Sequence, residues 1–165
     1  MTDQTGGSHD KTRLWWGVPE LQLVVIGFGL SVLWEFLQSP FYTDTFEATW
    51  GAIVFNRLHC AGGDALILLT AFWLVSLRWG RGWMDAGGWA PVGAFLVIGV
   101  AYTTYSEHFN VHLVERWVYS SWMPTVAGIG LVPLLQWIVV PILSVLYVRR
   151  RHRQQGWEGC AQIVY

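Results

Sequence analysis

Residues 58–77 read LHCAGGDALILLTAFWLVSL, and this run determines the class of protein. Only Asp64 in it is charged, and its length matches the roughly 20 helical residues that cross a hydrocarbon core of about 30 Å. Three further runs have the same character, at 21–38, 89–105 and 126–148. Pieces such as ALILLTAFWLV are apolar on every face, which favours lipid-embedded helices over the alternating strands of a β-barrel.

The composition agrees with a chain that lies almost entirely in lipid. Of its 165 residues 53% are hydrophobic and 13% charged, and the mean hydropathy is +0.37. We therefore predict an all-α integral membrane protein, a four-transmembrane-helix bundle with the lipid bilayer as its first partner. Three regions follow: a disordered tail at 1–13, the helical domain at 14–148, and a basic tail at 149–165.

Lysine and arginine predict the orientation of this bundle. They precede the first run, follow the second and cluster after the fourth, as Lys11, Arg13, Arg78, Arg81, Arg149, Arg150, Arg151 and Arg153. The other two connections contain only Arg57 and Arg116. By the positive-inside rule both termini are cytoplasmic. The RRRHR run is then a stop-transfer anchor, and we expect no nucleic-acid partner.

Two carboxylic acids lie inside the membrane-length runs, Glu35 in the first and Asp64 in the second. A charged side chain at that depth costs about 2.5–3.5 kcal/mol on insertion scales, so it persists where it faces a bundle interior or a partner. Both residues are therefore candidates for function. Gly62 and Gly63 are expected to allow a close helix approach beside Asp64.

Depth in the membrane predicts that polar residues of several helices share one layer. The first run ends outward with Glu35 and Gln38, the second begins there with His59 and Asp64, and the third ends there near Glu107. The sequence thus predicts an outward-facing pocket. Its central residues are Glu35, Asp64, His59 and Glu107, and its lining residues are Trp34, Gln38, Tyr102, Tyr105, Ser106, Asn110, Tyr119 and Gln136.

Three kinds of work suit such a pocket. Paired carboxyl groups in different environments support general acid–base chemistry, with Glu35 as acid and Asp64 as base, on a hydrophobic lipid or isoprenoid-like substrate. Alternatively His59, His108 and His112 bind a divalent metal, although HFNVH lacks the glutamate of the HExxH motif. Thirdly, the chain is a non-catalytic accessory or assembly subunit of a respiratory-type membrane complex, and the polar layer forms its contacts with partner subunits. The same layer could instead join copies of the chain in a homo-oligomer.

The connections are expected to be partly amphipathic. Phe46, Trp50, Ile53 and Val54 recur at helical spacing and predict a segment that lies flat in the interface. Pro133 and Pro141 fall within the fourth run, where each removes a backbone donor and favours a kink.

Five segments carry a resemblance: WEFLQSPFYT, HCAGGD, YTTYSEHFN, WVYSSWMP and LVPLLQWIVVP. Their order resembles an uncharacterised family of small four-span bacterial inner-membrane proteins, over residues 31–141. The resemblance implies a fold and a bacterial origin, and it brings no activity. Separately, Trp34, Glu35 and Phe36 resemble the acid motif of small integral-membrane terpene cyclases, whose scaffolds have more spans than the four predicted here.

Overall fold

The computed structural model describes residues 18–161, with side chains through residue 154. The tail predicted at 1–13 and the end of the basic tail lie outside the described residues. The chain is mostly helical. Its four long helices are α1 (Pro19–Gln38), α2 (Trp50–Trp79), α3 (Ala90–His108) and α4 (Leu131–Ala161).

Three helices are long and apolar enough to cross a membrane: α1 with the turn that follows it, α2, and α4 through Gln154. By their length and composition, these three helices among the described residues indicate a membrane protein. The helix α3 is not among them, because its last turns, YTTYSEH, are polar. The prediction of a helical membrane chain is therefore confirmed, with one small β-hairpin in addition to the helices.

Each long helix packs against its neighbours in sequence, and α4 also packs against α1. Their shared core contains large apolar side chains from all four helices and from the connection between α2 and α3. The most buried of them include Leu23, Leu68, Phe72, Trp83, Phe95, Trp137 and Val145. Burial of such side chains is worth about 1.5–3 kcal/mol each relative to water, and less relative to lipid. This core lies nearer one end of the helices and leaves polar residues at the other.

Short elements connect the helices. Single helical turns occupy Ser39–Phe41, Asp44–Glu47 and Arg81–Met84, and a π-helical turn, Phe109–Leu113, continues α3. Two antiparallel strands, β1 (Thr125–Val126) and β2 (Ile129–Gly130), then form a small hairpin before α4. Gly128 adopts a positive φ of 80° in its turn, a conformation that favours glycine.

Several predicted boundaries differ from the observed ones. No separate interfacial segment holds Trp50, Ile53 and Val54, because α2 already begins at Trp50, where the Thr49 hydroxyl accepts the Ala52 N–H at 3.4 Å. Pro133 lies in the first turn of α4, where no helical hydrogen bond is lost, and only Pro141 is inside the helix. Residues 149–161, predicted as part of a tail, continue α4.

Charged groups join the helices at the end remote from Glu35. The Arg81 guanidinium pairs with Glu20 at the start of α1. Arg149 on α4 donates to the carbonyl groups of Met84 at 2.5 Å and Gly88 at 3.1 Å, and it lies over the Trp89 ring. The His152 ring nitrogen lies 2.9 Å from Asp85. The start of α1, the end of α2, the start of α3 and α4 beyond residue 148 therefore share one end.

Close helix approaches occur at Gly27 and Gly99. A Cβ atom on Gly27 would overlap Leu68, and one on Gly99 would overlap the Trp137 ring. By contrast, a Cβ on Gly62 or Gly63 would meet open space. The expected approach beside Asp64 is therefore wrong, and the tight α3–α4 contact lies at Gly99.

Gly99→Ala should lower the free energy of unfolding by about 1–3 kcal/mol, because the rigid indole of Trp137 must move to admit a methyl group. Gly93→Ala is the matched control on the same helix, since its Cβ meets nothing within 4 Å. That change should be neutral or stabilise by up to about 1 kcal/mol, the helix-propensity difference. Denaturant unfolding of both variants in detergent measures the difference, and equal effects would contradict the packing at Gly99.

Candidate functional site

A cavity of about 600 Å³ lies among the four long helices and the connections at their polar end. We call it the carboxyl cavity, after Glu35, Asp64 and Glu107, which line it from α1, α2 and α3. The predicted site residues that line it are Glu35, Gln38, His59, Asp64, Tyr102, Ser106, Glu107, Asn110 and Gln136. Depth and helical phase thus gather most of the proposed pocket in one place.

Glu35 and Asp64 are bridged by one amide. The Gln136 side-chain nitrogen on α4 donates to Asp64 Oδ2 at 2.6 Å and points to Glu35 Oε1 at 3.5 Å. Glu35 and Gln136 are both buried, with 5% and 3% of their surfaces exposed. A bridging amide can hold two carboxyl groups close together without adding charge. The central polar contact therefore joins three helices.

The helical sequence explains why these groups meet. Ser31, Glu35 and Gln38 follow one another at spacings of four and three on α1, and all three are buried. The same spacing on α3 places Thr103, Glu107 and Asn110 on one face. Ser31 and Trp137 also face the Asp64 carboxyl group. Both α1 and α3 therefore present polar side chains to the cavity at helical spacing.

Glu107 is held by a tyrosine from the connection after α3. The Tyr119 hydroxyl donates to Glu107 and accepts the backbone N–H of Gly130 at 3.0 Å. Burial, and then the neighbouring Glu107, raise the pKa of Tyr119 well above its ordinary value. Tyr119 therefore stays protonated as the donor in this contact. The Tyr119 hydroxyl contacts Glu107, but Tyr119 does not line the carboxyl cavity.

Sequence reasoning missed Arg57, which is 5% exposed beside the cavity. Its guanidinium pairs with Asp44 at 2.5 Å, donates to Ser39 Oγ at 3.0 Å and to Thr45 at 3.2 Å, and lies 5.4 Å from the centre of the Tyr42 ring. We had assigned Arg57 to an outward connection. The sequence contains a pattern that could have placed Arg57 in the site, because Arg57, Cys60 and Asp64 share one helix face on α2.

The two connections at this end are joined by hydrogen bonds. Backbone N–H groups of Thr43 and Ser120 donate to Val118 at 3.0 Å and Phe41 at 2.9 Å, and the Ser120 hydroxyl donates to Pro40 at 2.8 Å. Tyr42 and Tyr119 pair as a β-bridge, with ring centres 5.8 Å apart. Residues 39–43 and 118–120 thus form a single cover at the cavity end of the helices. Ser39 Oγ attaches this cover to α1 by donating to the Glu35 carbonyl at 2.9 Å.

Several predicted lining residues lie elsewhere. Trp34 directly precedes Glu35, and Tyr105 directly precedes Ser106, both of which line the cavity. Because a helix turns about 100° per residue, neighbours in sequence point in different directions. Tyr105 is therefore exposed and stacks on Phe109 at 6.0 Å. Those that do not line the cavity are Trp34, Tyr105, His108, His112 and Tyr119. Trp34, Tyr105 and Tyr119 were predicted to line the pocket, whereas His108 and His112 were considered only as metal ligands.

The three histidines considered for a metal do not form a ligand set. Within residues 18–154, no group of three or more His, Cys, Asp or Glu side chains is arranged to hold a metal ion. His59 stacks on Phe55 at 6.0 Å, and the His112 Nε2 lies 2.9 Å from the Gly128 carbonyl. His108 and His112 are adjacent, with ring centres 5.3 Å apart, but they lie outside the carboxyl cavity.

Some buried polar atoms in the cavity wall find no hydrogen-bond partner among the described residues. They are Gln38 Oε1 and Thr103 Oγ1. Gln38 and Thr103 are only 4% and 6% exposed. Native proteins pair nearly all buried polar atoms, so these atoms are exceptions within the part of the chain that the structure describes.

Comparisons with protein-family models, with curated proteins and with solved structures gave no match. The site must therefore be interpreted from its own chemistry.

Chemically, the carboxyl cavity combines proton carriers with apolar and aromatic walls. Glu35 and Asp64 differ in burial and partners, and such differences give two carboxyl groups different proton affinities. Tyr102, Trp117 and Ile67 supply apolar surface beside them. Proton transfer to or from a bound molecule is the reaction that these groups support directly.

Proposed function

We propose that the chain is a four-helix transmembrane bundle of a bacterial inner membrane, with both termini in the cytoplasm. The exposed apolar side chains on each long helix support a position in lipid, and α3 contributes Val97, which is 67% exposed. The arginine-rich helix ends lie together, opposite the carboxyl cavity. By the positive-inside rule the cavity then faces outward. The resemblance to small four-span bacterial proteins is part of the same proposal.

Within that bundle, we propose acid–base catalysis on a hydrophobic, lipid or isoprenoid-like substrate. The observation that carries this proposal is the Glu35–Gln136–Asp64 bridge inside a cavity large enough for a small ligand. Cavities of roughly 300–1,000 Å³ are typical of small-molecule sites. Buried carboxyl groups are costly in a membrane, and a catalytic use accounts for that cost.

The roles follow from position. Glu35 donates the proton as a general acid, and Asp64 accepts one as the base. Gln136 orients both groups. Glu107, fixed by Tyr119, adds negative charge at the far wall, while His59 lies exposed at the rim of the cavity. The aromatic rings contact the apolar part of the substrate.

The direct test is reconstitution of the full chain in vesicles of total bacterial lipid, followed by untargeted mass spectrometry. The active protein should convert at least one lipid species over time. Vesicles containing the double variant Glu35→Gln/Asp64→Asn should match empty vesicles. Folding of the variant is checked by its elution as a single species in detergent. If wild-type vesicles also match empty ones, the catalytic proposal is wrong.

A second candidate function is that of an accessory or assembly subunit in a membrane complex. It is favoured by exposed aromatic side chains around the cavity end: Trp50 is 71% exposed, and Phe46 and Trp122 contact each other at 6.4 Å while 66% and 67% exposed. Such patches occur at protein interfaces and in the interfacial belts of membrane proteins. Stoichiometric partner subunits after purification in mild detergent would support this candidate, and a homo-oligomer would be detected in the same experiment.

A further inference from the structure

The carboxyl cavity is closed by α1 and α4 and open elsewhere. Its lining residues on α1 and α4 are all buried, and only 5% of Glu35, 3% of Gln136 and 3% of Trp137 is exposed. The exposed lining residues belong to α2, α3 and the connection after α3, and they are Phe55, Asn56, His59, Tyr102 and Arg116. The opening of the cavity therefore lies along the seam between α2 and α3.

Helix packing explains why this seam is open. A Cβ atom on Gly27 of α1 would overlap Leu68 of α2, and one on Gly99 of α3 would overlap Trp137 of α4. Each of these helix pairs is therefore in close contact. Gly63 on α2 lines the cavity, yet a Cβ atom there would meet nothing within 4 Å. Beside the cavity, α2 thus packs on α1 and α3 packs on α4, while α2 and α3 stand apart.

The seam closes at the end of the helices remote from the cavity. There the Trp83 ring lies between α2 and α3, with its centre 5.8 Å from that of Phe72 and 5.3 Å from that of Phe95. All three rings are buried in the core. We call the open part of the seam the α2–α3 slit. Residues at four-residue spacing, which share a helix face, border it: Phe55, His59, Gly63 and Ile67 on one side, and Tyr102, Ser106 and Asn110 on the other.

Polarity changes along the slit. Near the helix ends its border is polar, with Asn56 and Asn110. At a rise of 1.5 Å per residue, Ile67 lies about 16 Å farther along α2 than Asn56, level with the apolar part of the helix. Leu66 beside it is 67% exposed, and Tyr102 across the slit is 49% exposed. The cavity is therefore continuous with a surface of the kind that faces lipid, below a polar rim.

We propose that a bilayer lipid enters the carboxyl cavity sideways through the α2–α3 slit, with its acyl chain between Gly63 and Tyr102 and its head group at the polar rim. A polar group above an apolar chain matches the order of side chains along the slit, and a lipid in this position never leaves the bilayer. This inference rests on the proposed function, because it names the substrate as a chain-bearing lipid of the leaflet at the cavity end. Gly63 leaves the space that the chain occupies.

Photochemical labelling of the full chain in vesicles tests this route. The vesicles contain total bacterial lipid with phosphatidylethanolamine and phosphatidylglycerol that carry a diazirine on one acyl chain. After illumination, peptide mass spectrometry locates the adducts. We expect adducts on Glu35, Gln136 and Trp137, because these buried residues line the cavity and a lipid contacts them only from within it. Leu37, which is 66% exposed on α1, reports labelling from the surrounding bilayer in every sample.

Two neighbouring glycines provide the variant and its matched control. Gly63→Leu places a side chain in the slit and should lower the cavity adducts about tenfold, since inserting extra carbon atoms into an occupied space costs about 1–3 kcal/mol. Gly62→Leu makes the same change at a glycine whose Cβ also meets nothing within 4 Å but which does not line the cavity. It should leave the cavity adducts unchanged. Elution as a single species in detergent shows that each variant is folded.

Tyr102→Ala tests the other side of the slit and decides the matter if Gly63→Leu does not fold. It widens the slit and should raise the cavity adducts. Unchanged adducts in Tyr102→Ala, or equal adducts in folded Gly63→Leu and wild type, would overturn the inference. It is also overturned if Leu37 is labelled while the cavity residues are not, the result expected if another chain covers the slit or the ligand enters from water.

The labelling and the vesicle assay for conversion fail independently. If cavity adducts form and Gly63→Leu reduces them while no lipid is converted, the catalytic proposal fails alone. If lipid is converted and the cavity residues stay unlabelled, the lateral route fails alone.

Discussion

Glu35→Gln should reduce lipid conversion in vesicles by about 10²–10⁴-fold, the usual contribution of a positioned acid or base. Glutamine keeps the shape of glutamate and can still meet the Gln136 amide through its oxygen, but it cannot deliver a proton. The loss should therefore fall on the rate constant more than on substrate retention.

Two comparisons make this prediction specific. Glu47→Gln removes an exposed carboxyl group and should leave the rate unchanged, and Glu35→Asp should retain part of it because an acid remains. The elution profile and the unfolding transition in detergent report whether each variant is folded. A folded Glu35→Gln protein that converts lipid at the wild-type rate would remove Glu35 from the acid's role.

Arg57→Met should destabilise the folded chain by about 3 kcal/mol, near the lower end of the cost of breaking a buried ion pair. The arginine side chain is 6% exposed, but that of Asp44 is 25% exposed and keeps some hydration after the change. The cover formed by residues 39–43 and 118–120 would also lose its contact between Arg57 and Ser39. Denaturant unfolding in detergent measures the effect.

The controls for Arg57 are Arg116→Met and a second substitution at Asp44. Arg116 is exposed, so its change should alter the free energy of unfolding by less than about 0.5 kcal/mol. Arg57→Met/Asp44→Asn should recover part of the loss, because the unpaired carboxylate is then gone. Similar losses for Arg57→Met and Arg116→Met would show that the observed pairing contributes nothing.

The sequence predicts those parts of this molecule that depend on regular helices. Length and hydropathy indicate the apolar helices, and the direction of each helix gives the depth of its polar residues. The 3.6-residue repeat then selects Glu35 and Gln38 on α1 and Thr103 and Glu107 on α3. For that reason the meeting of Glu35, Asp64 and Gln136 could be anticipated without coordinates.

The connections could not be predicted in the same way. Arg57 is buried only because the turn at Ser39–Phe41 brings residues 39–45 back over α2, and no periodicity describes that turn. The β1–β2 hairpin places Gly130 against Tyr119, which then reaches Glu107. Depth predicts Tyr105 in the wall, but helix phase exposes it. Helical spacing pairs His108 with His112, but His108 is at the end of α3 and His112 is in the π-helical turn, both outside the cavity.

The central claim is that carboxyl groups of separate helices share one enclosed site. A density map of the full chain in lipid nanodiscs tests this claim most directly. The account predicts the Gln136 amide between the Glu35 and Asp64 carboxyl groups, inside the cavity. A map in which Glu35 and Asp64 point into lipid, or toward different aqueous faces, would contradict it.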